Sequence, residues 1–230
     1  MTTADYIALL LFAVLWIGFS WVSGGARIFK RISLNQAMAK RRQQWIHNSL
    51  TRDLKMIDTQ IMAGLQNGTA FFASTTIFAL GGCFALLGAT EQVDAVIKDL
   101  PVLMHGGRAA FELKVGGLSA LFGYSFFKFG WSYRLFNYCT ILFGCIPMTA
   151  DIAENREEAT RTAERVLHMN IEAARHFNAG LRAIFLAIGY LGWFINAYVF
   201  MLTTVFIIAV LAHRQFFSRA RSIIIDEIQP

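Results

Sequence analysis

Between Val115 and Ile146 an almost wholly apolar stretch carries Lys128 and Arg134 on either side of its centre. No other long apolar run contributes a carboxylate, so these cations must be satisfied by neutral polar groups, water, lipid headgroups or a bound anion. Lys128, Trp131 and Arg134 step by three and Tyr138 follows four further on, so a helix shows all four on one broad side. The planar guanidinium of Arg134 suits a phosphate or carboxylate, whereas Lys128 offers a point charge. Lys128, Trp131, Arg134 and Tyr138 are therefore the candidate site for an anionic lipid or small anion. Two orientations are open. The cations face a bundle interior and clamp the anion, or they snorkel to the inner headgroup layer and set the depth of the helix. Asn137 and Asn196 are further polar candidates.

Other chemistry has less support. His47, His105, His168, His176 and His213 raise the possibility of haem held between helices by paired imidazoles. Three of them fall on polar helical stretches, one in a loop and one at the end of the last apolar run, so haem ranks low and no cofactor is assigned. No apolar run holds paired carboxylates, and there is no G-x-S-x-G, Walker or H-E-x-x-H pattern. No catalytic residue and no metal ligand are assigned, and nothing specific favours an enzyme. Glu154, Glu157, Glu158 and Glu164 alternate with Arg156, Arg161 and Arg165 in the manner of a solvated, ion-paired helix face.

The elements that must position these residues are helices in a bilayer. The 230-residue chain is 56% hydrophobic and only 16% charged, where soluble domains carry about 25% charged residues. Its net charge of +6 is accounted for by one segment, Arg27 to Asp58, beside an apolar run. That is a membrane-orienting pattern rather than a nucleic-acid footprint, and nucleic acid is excluded as a partner. Cys83, Cys139 and Cys145 all lie in apolar surroundings and suggest neither a disulfide framework nor a metal site.

Spans are expected at about 6–23, 67–89, 115–146 and 181–211, the first retained rather than cleaved. Trp16 and Trp21 stand toward the end of the first as interfacial anchors. Between spans lie two polar, periodic stretches. In 33–66, Trp45 or Ile46, Leu50, Leu54, Ile57, Ile61 and Leu65 form an apolar stripe uninterrupted by Pro or Gly before Ala63. It is expected to extend the second span upright out of the membrane, with an in-plane helix on anionic headgroups as the alternative. In 149–180, Ala159, Ala163, Val166, Asn170, Ala173 or Ala174 and Phe177 form the face of a second extension, with Thr149 or Asp151 as its cap and Pro147 ending the helix before it. The two stripes are expected to pair. Ala70, Ala73, Ser74, Gly81 and Gly82 offer a close helix contact in the second span, and the hydroxyls of Ser74, Thr75 and Thr76 either serve the cations or bond back to their own helix. The 91–114 loop is assigned outside, and the tail 214–230 is taken as flexible.

Thirteen Lys and Arg fall in 27–58 and 149–182, against six in the N-terminus, loop and tail. Four spans with both termini outside fit that count, although the arginines of the tail argue for the inside. The fold class is thus an all-α membrane helical bundle with two amphipathic helical extensions on the cytoplasmic side. The extensions favour a scaffold or accessory subunit that pairs with a second copy or a membrane partner protein. The cations of the third span favour the alternative, binding or transport of an anionic lipid or small anion.

Ser125 to Tyr138 (SFFKFGWSYRLFNY), Phe71 to Thr90 (FFASTTIFALGGCFALLGAT) and the HRQFFSRA after the last span together resemble the domain of unknown function 599 family of membrane proteins. The resemblance spans most of the chain. It implies an integral membrane protein of about four helices, in a family found in bacteria and plants, here expected in the bacterial inner membrane. It carries over no catalytic or binding residue.

Overall fold

The computed structural model describes residues 1–24, 32–90, 107–152 and 154–225, and among these every regular element is helical. Helix α1 spans Thr3–Ser23 and opens on a capping box in which Thr2 and Asp5 satisfy each other's backbone N–H. Helix α2, Leu34–Ser49, opens on a second capping box, Ser33 with Gln36. Then follow α3 (Met56–Gly88), α4 (Gly107–Gly144), the single turn α5 (Thr149–Ile152) and α6 (Arg156–Tyr190). A 3-10 turn at Leu191–Phe194 leads to α7 (Ala197–Phe216) and α8 (Arg219–Ile225).

The organising interface is the antiparallel seam of α4 with α6. Ser125 Oγ donates to the Gly180 carbonyl at 2.9 Å and Ser132 Oγ to the Ala173 carbonyl at 2.7 Å, while Cys139 Sγ reaches the Val166 carbonyl at 3.5 Å. Each step of seven along α4 is matched by a step of seven back along α6, which is the heptad register of a left-handed pair. Small residues let the backbones approach. Any side chain at Gly180 would meet the ring of Phe129 at 2.8 Å, and one at Gly117 would meet the hydroxyl of Tyr190. The face expected on 149–180 is the buried one, with Ala159, Ala163, Val166, Asn170 and Ala173 fully covered.

Helix α3 lies on the other side of α4. Phe72 stacks on Phe129 at 5.5 Å, and Gln66 donates to Thr140 at 2.9 Å. Helices α1 and α7 pack together through Phe12 and Phe200, whose rings also meet Tyr190. At one end of the bundle, Asp5 accepts from the Trp193 indole at 2.8 Å, and Lys114 donates to the Trp193 carbonyl at 2.8 Å. That triangle ties the start of α1, the start of α4 and the α6–α7 turn to one level. At the other end, α2, the first half of α3, the last half of α4 and the first half of α6 form a four-helix cluster around Ile46, Met62, Cys139, Phe143 and Val166.

Among the described residues four helical segments are long and apolar enough to cross a membrane, Thr3–Ser23, Met56–Gly88, Arg156–Phe194 and Ala197–Ile225, and α4 is not one of them. The first two contain the spans expected at 6–23 and 67–89. The expected span 115–146 falls on α4, which continues N-terminally to Gly107. The single span expected at 181–211 is instead a hairpin. Helix α6 stops at Tyr190, and α7 restarts behind Asn196, whose Oδ1 accepts from the Val199 N–H at 2.8 Å. Asn196 is thus a helix cap rather than a ligand candidate. Gly192 makes the reversal possible, because a Cβ there would lie 2.5 Å from Thr203 Oγ1. One consequence is that Asp5, beside Trp193, and Ile224, beside Arg41 of α2, lie at opposite ends of the bundle.

The upright extension at 33–66 is also corrected. The helix breaks between Ser49 and Met56, and α2 packs against α6 and α8 instead of continuing into α3. No Pro or Gly makes this turn. Asp58, fully buried, accepts from the Trp45 indole at 2.7 Å and pairs with Arg52, while Lys55 caps the carbonyls of Ile146 and Pro147. The buried face of α3 is accordingly Asp58, Met62, Thr69, Thr76 and Cys83, whereas Ile57 of the expected stripe is 59% exposed. Ser74, Gly81 and Gly82 point outward, and Thr75 and Thr76 bond back to carbonyls of their own helix. Neither Thr149 nor Asp151 caps α6, which starts after Asn155. Thr149 Oγ1 donates to the Arg52 carbonyl instead. Most of the tail is helical: α7 runs to Phe216 and α8 lies on α2, where Arg41 donates to the Ile224 carbonyl and Arg221 to that of Ile32. The expectations for loop residues 91–106, for the basic residues Arg27, Lys30 and Arg31, and for 226–230 lie outside the described residues.

Candidate functional site

The structure brings Lys128, Trp131, Arg134 and Tyr138 together on one side of α4, but that side faces away from the seam. Ser125, Ser132 and Cys139 occupy the face toward α6, and Phe129 and Phe136 the face toward α3 and α6, which leaves the four candidates outward. Trp131 is 48% exposed, and its ring meets His176 of α6 at 6.4 Å. Arg134 is exposed, donates to the Tyr138 hydroxyl and lies 5.5 Å from that ring. Lys128 sits 5.3 Å over Tyr124. The result is a strip of cations resting on aromatic faces along the outside of the bundle. His47 and His168 both approach Glu164, and His176 approaches Glu172. His105 lies outside the described residues. Among the described residues no group of three His, Cys, Asp or Glu side chains gathers as a metal site.

Two other cations, Arg42 and Arg182, line interior cavities. Where α2 begins against the middle of α6, three cavities of about 430, 200 and 140 Å³ meet, all of them lined by Asn35 and Asn178. Asn178 Nδ2 donates to Asn35 Oδ1 at 3.3 Å across the junction. Arg42 of α2 enters from one side and donates from Nη1 to Asn170, a fully buried asparagine of α6. Burial draws the Arg42 guanidinium below its ordinary pKa. Arg182 of α6 enters from the other side, and its buried Nε–H has no hydrogen-bond partner. Arg175 and Arg214 also line the smaller cavities, yet Arg175 is paired with Glu172 and Arg214 rests on Phe185. Among the described residues no carboxylate lines any of the three.

An arginine whose buried Nε–H has no acceptor, with no carboxylate among the described residues lining its cavities, raises the free energy of the empty site. A carboxylate or phosphate supplies both, in the bidentate geometry that guanidinium favours. Two amides beside the arginines provide neutral donors for the remaining oxygens. The larger cavity differs from the other two in lining. Gly64, Leu65, Gly68, Phe136 and Phe177 make most of its wall apolar, and Ala220 and Ile224 of α8 close one side.

A family described as "Protein of unknown function, DUF599" matches residues 7–220. The chain belongs to this family. No curated protein and no solved structure is significantly similar to it. The matched region of this DUF599 protein contains Asn35, Arg42, Asn178 and Arg182 as well as the outward strip on α4.

The sequence held a signal for one of these arginines. Arg182 is the only Asp, Glu, Lys or Arg between Arg175 and Arg214, so it stands well inside an apolar run just as Lys128 and Arg134 do. Arg42 was hidden in the run KRRQQW, whose composition reads as a surface cluster. Only the folding back of α2 onto α6 turns it inward.

Proposed function

We propose that this DUF599 protein is a membrane-embedded binding protein for an anionic headgroup, a phosphate or carboxylate, held between Arg42 and Arg182. In this reading α1, α3, α4, α6 and α7 cross the bilayer, and α2, α8 and the four-helix cluster stand on the cytoplasmic side. The reversal at Leu191–Phe194 supports it, since the arginines of the tail then join the basic segments instead of opposing them. Depth is consistent as well. About 20 helical residues cross the hydrocarbon, and counted from the Lys114–Trp193 level this brings α4 to Arg134 and α6 to Ala173. The outward strip then lies at the inner headgroup layer, and Arg182 lies inside the hydrocarbon thickness, where an ionisable side chain marks a binding site.

The observation that carries the reading is the unpartnered, buried Nε–H of Arg182 in cavities lined, among the described residues, by no carboxylate. The scaffold role expected from the amphipathic stretches is less well supported, because the face of α6 that would have served a partner is consumed within the chain. The test is thermal stability of the purified protein in a neutral detergent with dihexanoyl phosphatidic acid, and separately with dihexanoyl phosphatidylcholine. The expected result is stabilisation by the acid alone, lost in Arg182→Gln and weakened in Arg42→Gln. Equal responses to both lipids, or an undiminished response in Arg182→Gln, would overturn it.

A further inference from the structure

The anion site is continuous with an apolar cavity at Asn35 and Asn178, and the wall of that cavity on α3 has been left open by two glycines. Gly64 and Gly68 are one helical turn apart on the same face, and a Cβ at either meets nothing within 4 Å. Everywhere the bundle needs glycine for packing, the added Cβ collides: Gly117 with Tyr190, Gly180 with Phe129 and Gly192 with Thr203. Gly64 and Gly68 are therefore not required by contact with a neighbouring helix, and glycine is a poorer helix former than alanine at both. What they create is room.

Resting on the anion reading above, we infer that the ligand is a single-chain amphiphile, an alkyl chain ending in a phosphate or carboxylate. Its head lies at Asn35 and Asn178 between the two arginines, and its chain lies along Gly64, Gly68, Phe136 and Phe177 under α8. Three features of the cavity select that class. Its polar lining residues with donors to offer, Asn35, Asn178 and Arg42, all lie on the α2–α6 side, and Thr69 on α3 spends its hydroxyl on the Leu65 carbonyl, so it offers polar partners to one side of a ligand only. The charge of its described lining is one-signed, so a zwitterionic or cationic head leaves a like charge beside an arginine. Its volume of about 430 Å³ is at the small end of the range of about 300 to 1,000 Å³ for ligand pockets, which accommodates one chain and not two.

The experiment separates chain from head. Dissociation constants for butyl phosphate, dodecyl phosphate and dodecylphosphocholine are measured by native mass spectrometry on the full chain held in a neutral fluorinated surfactant. The expected result is dodecyl phosphate binding at least tenfold more tightly than butyl phosphate, with dodecylphosphocholine weak. Gly68→Leu, whose Cβ meets nothing within 4 Å and whose side chain takes up cavity volume, removes the advantage of the long chain and leaves butyl phosphate unchanged. Arg182→Gln weakens both phosphates. Equal affinity for the two chain lengths, or a chain-length advantage that survives in both Gly68→Leu and Gly64→Leu, overturns the amphiphile inference while leaving the anion site standing. Phosphates that bind no better than dodecylphosphocholine overturn the anion site itself, and the inference with it. Circular dichroism of each variant confirms that the helices have formed.

Discussion

Ser132 and Ala173 are both fully buried, and the hydroxyl of the first donates to the carbonyl of the second at 2.7 Å across the seam of α4 and α6. The bond forms only because a small side chain on each helix lets a side-chain hydroxyl reach a main-chain oxygen that its own helix already uses. Ser125 and Cys139 repeat the contact one heptad to either side. Ser132→Ala keeps the volume and removes the bond, so it is expected to cost about 0.6 kcal/mol, the average for such bonds in membrane bundles, and no more than about 1.7 kcal/mol. Ser132→Leu forces the helices apart and is expected to cost more than Ser132→Ala. Denaturation midpoints in mixed detergent measure both, and a Ser132→Leu protein as stable as Ser132→Ala would show that the seam is not close-packed.

Gly180 gives a sharper comparison. A methyl group there meets the Phe129 ring at 2.8 Å, and that ring is itself fixed by Phe72 and Phe177. Gly180→Ala is expected to destabilise by about 1–3 kcal/mol through overpacking, in spite of alanine's better helix propensity. Phe129→Leu in the same chain should recover part of the loss. If Gly180→Ala proves stabilising, the packing described for the seam is wrong in that turn.

How far the fold was legible in the sequence follows from which physical signals are local. The face of α6 was legible because Ala159, Ala163, Val166, Asn170 and Ala173 repeat at helical spacing and all are buried. The turn between α2 and α3 was not, because its determinants are Trp45, Arg52 and Asp58, three residues joined by two polar contacts that no periodicity announces. Once that turn was missed, the apolar stripe through Ile57 seemed to be the buried one, although burial of Asp58 rotates α3 by one residue. The break at Asn196 was hidden for a similar reason. Gly192 and Asn196 sit in an unbroken apolar run, and hydropathy does not distinguish a span from two half-runs that turn back. For the site, the pattern of cations on α4 was legible but not the face they take, which depends on where α3 and α6 dock.

Topology can be checked independently of any ligand. In a Cys145→Ser background, which removes the one exposed thiol among the described cysteines, Lys40→Cys and Arg219→Cys should label from the same side of sealed vesicles. Ala109→Cys, at the start of α4, should label from the opposite side, and all three positions are exposed. Labelling of Arg219→Cys together with Ala109→Cys would restore the four-span layout and remove the hairpin.

The outward strip on α4 and the inward arginines should respond differently to the same substitution. Arg134 donates outward to Tyr138 and rests on its ring, an exposed contact worth about 0.5–1 kcal/mol. Lysine retains the charge and the cation–π attraction there, so Arg134→Lys is expected to be nearly neutral for stability and for binding of dihexanoyl phosphatidic acid. Arg182 has no such outlet. Its guanidinium is buried beside Asn178 and Asn35, and lysine cannot supply its planar fork, so Arg182→Lys should weaken binding of the same lipid nearly as much as Arg182→Gln. Lys128→Gln combined with Arg134→Gln should instead reduce the number of loosely co-purified anionic lipids, because these side chains hold headgroups at the inner layer by charge alone. Native mass spectrometry counts both populations. Loss of the tight ligand on changing the strip, with none on changing Arg182, would move the binding site from the cavity to the outer face of α4.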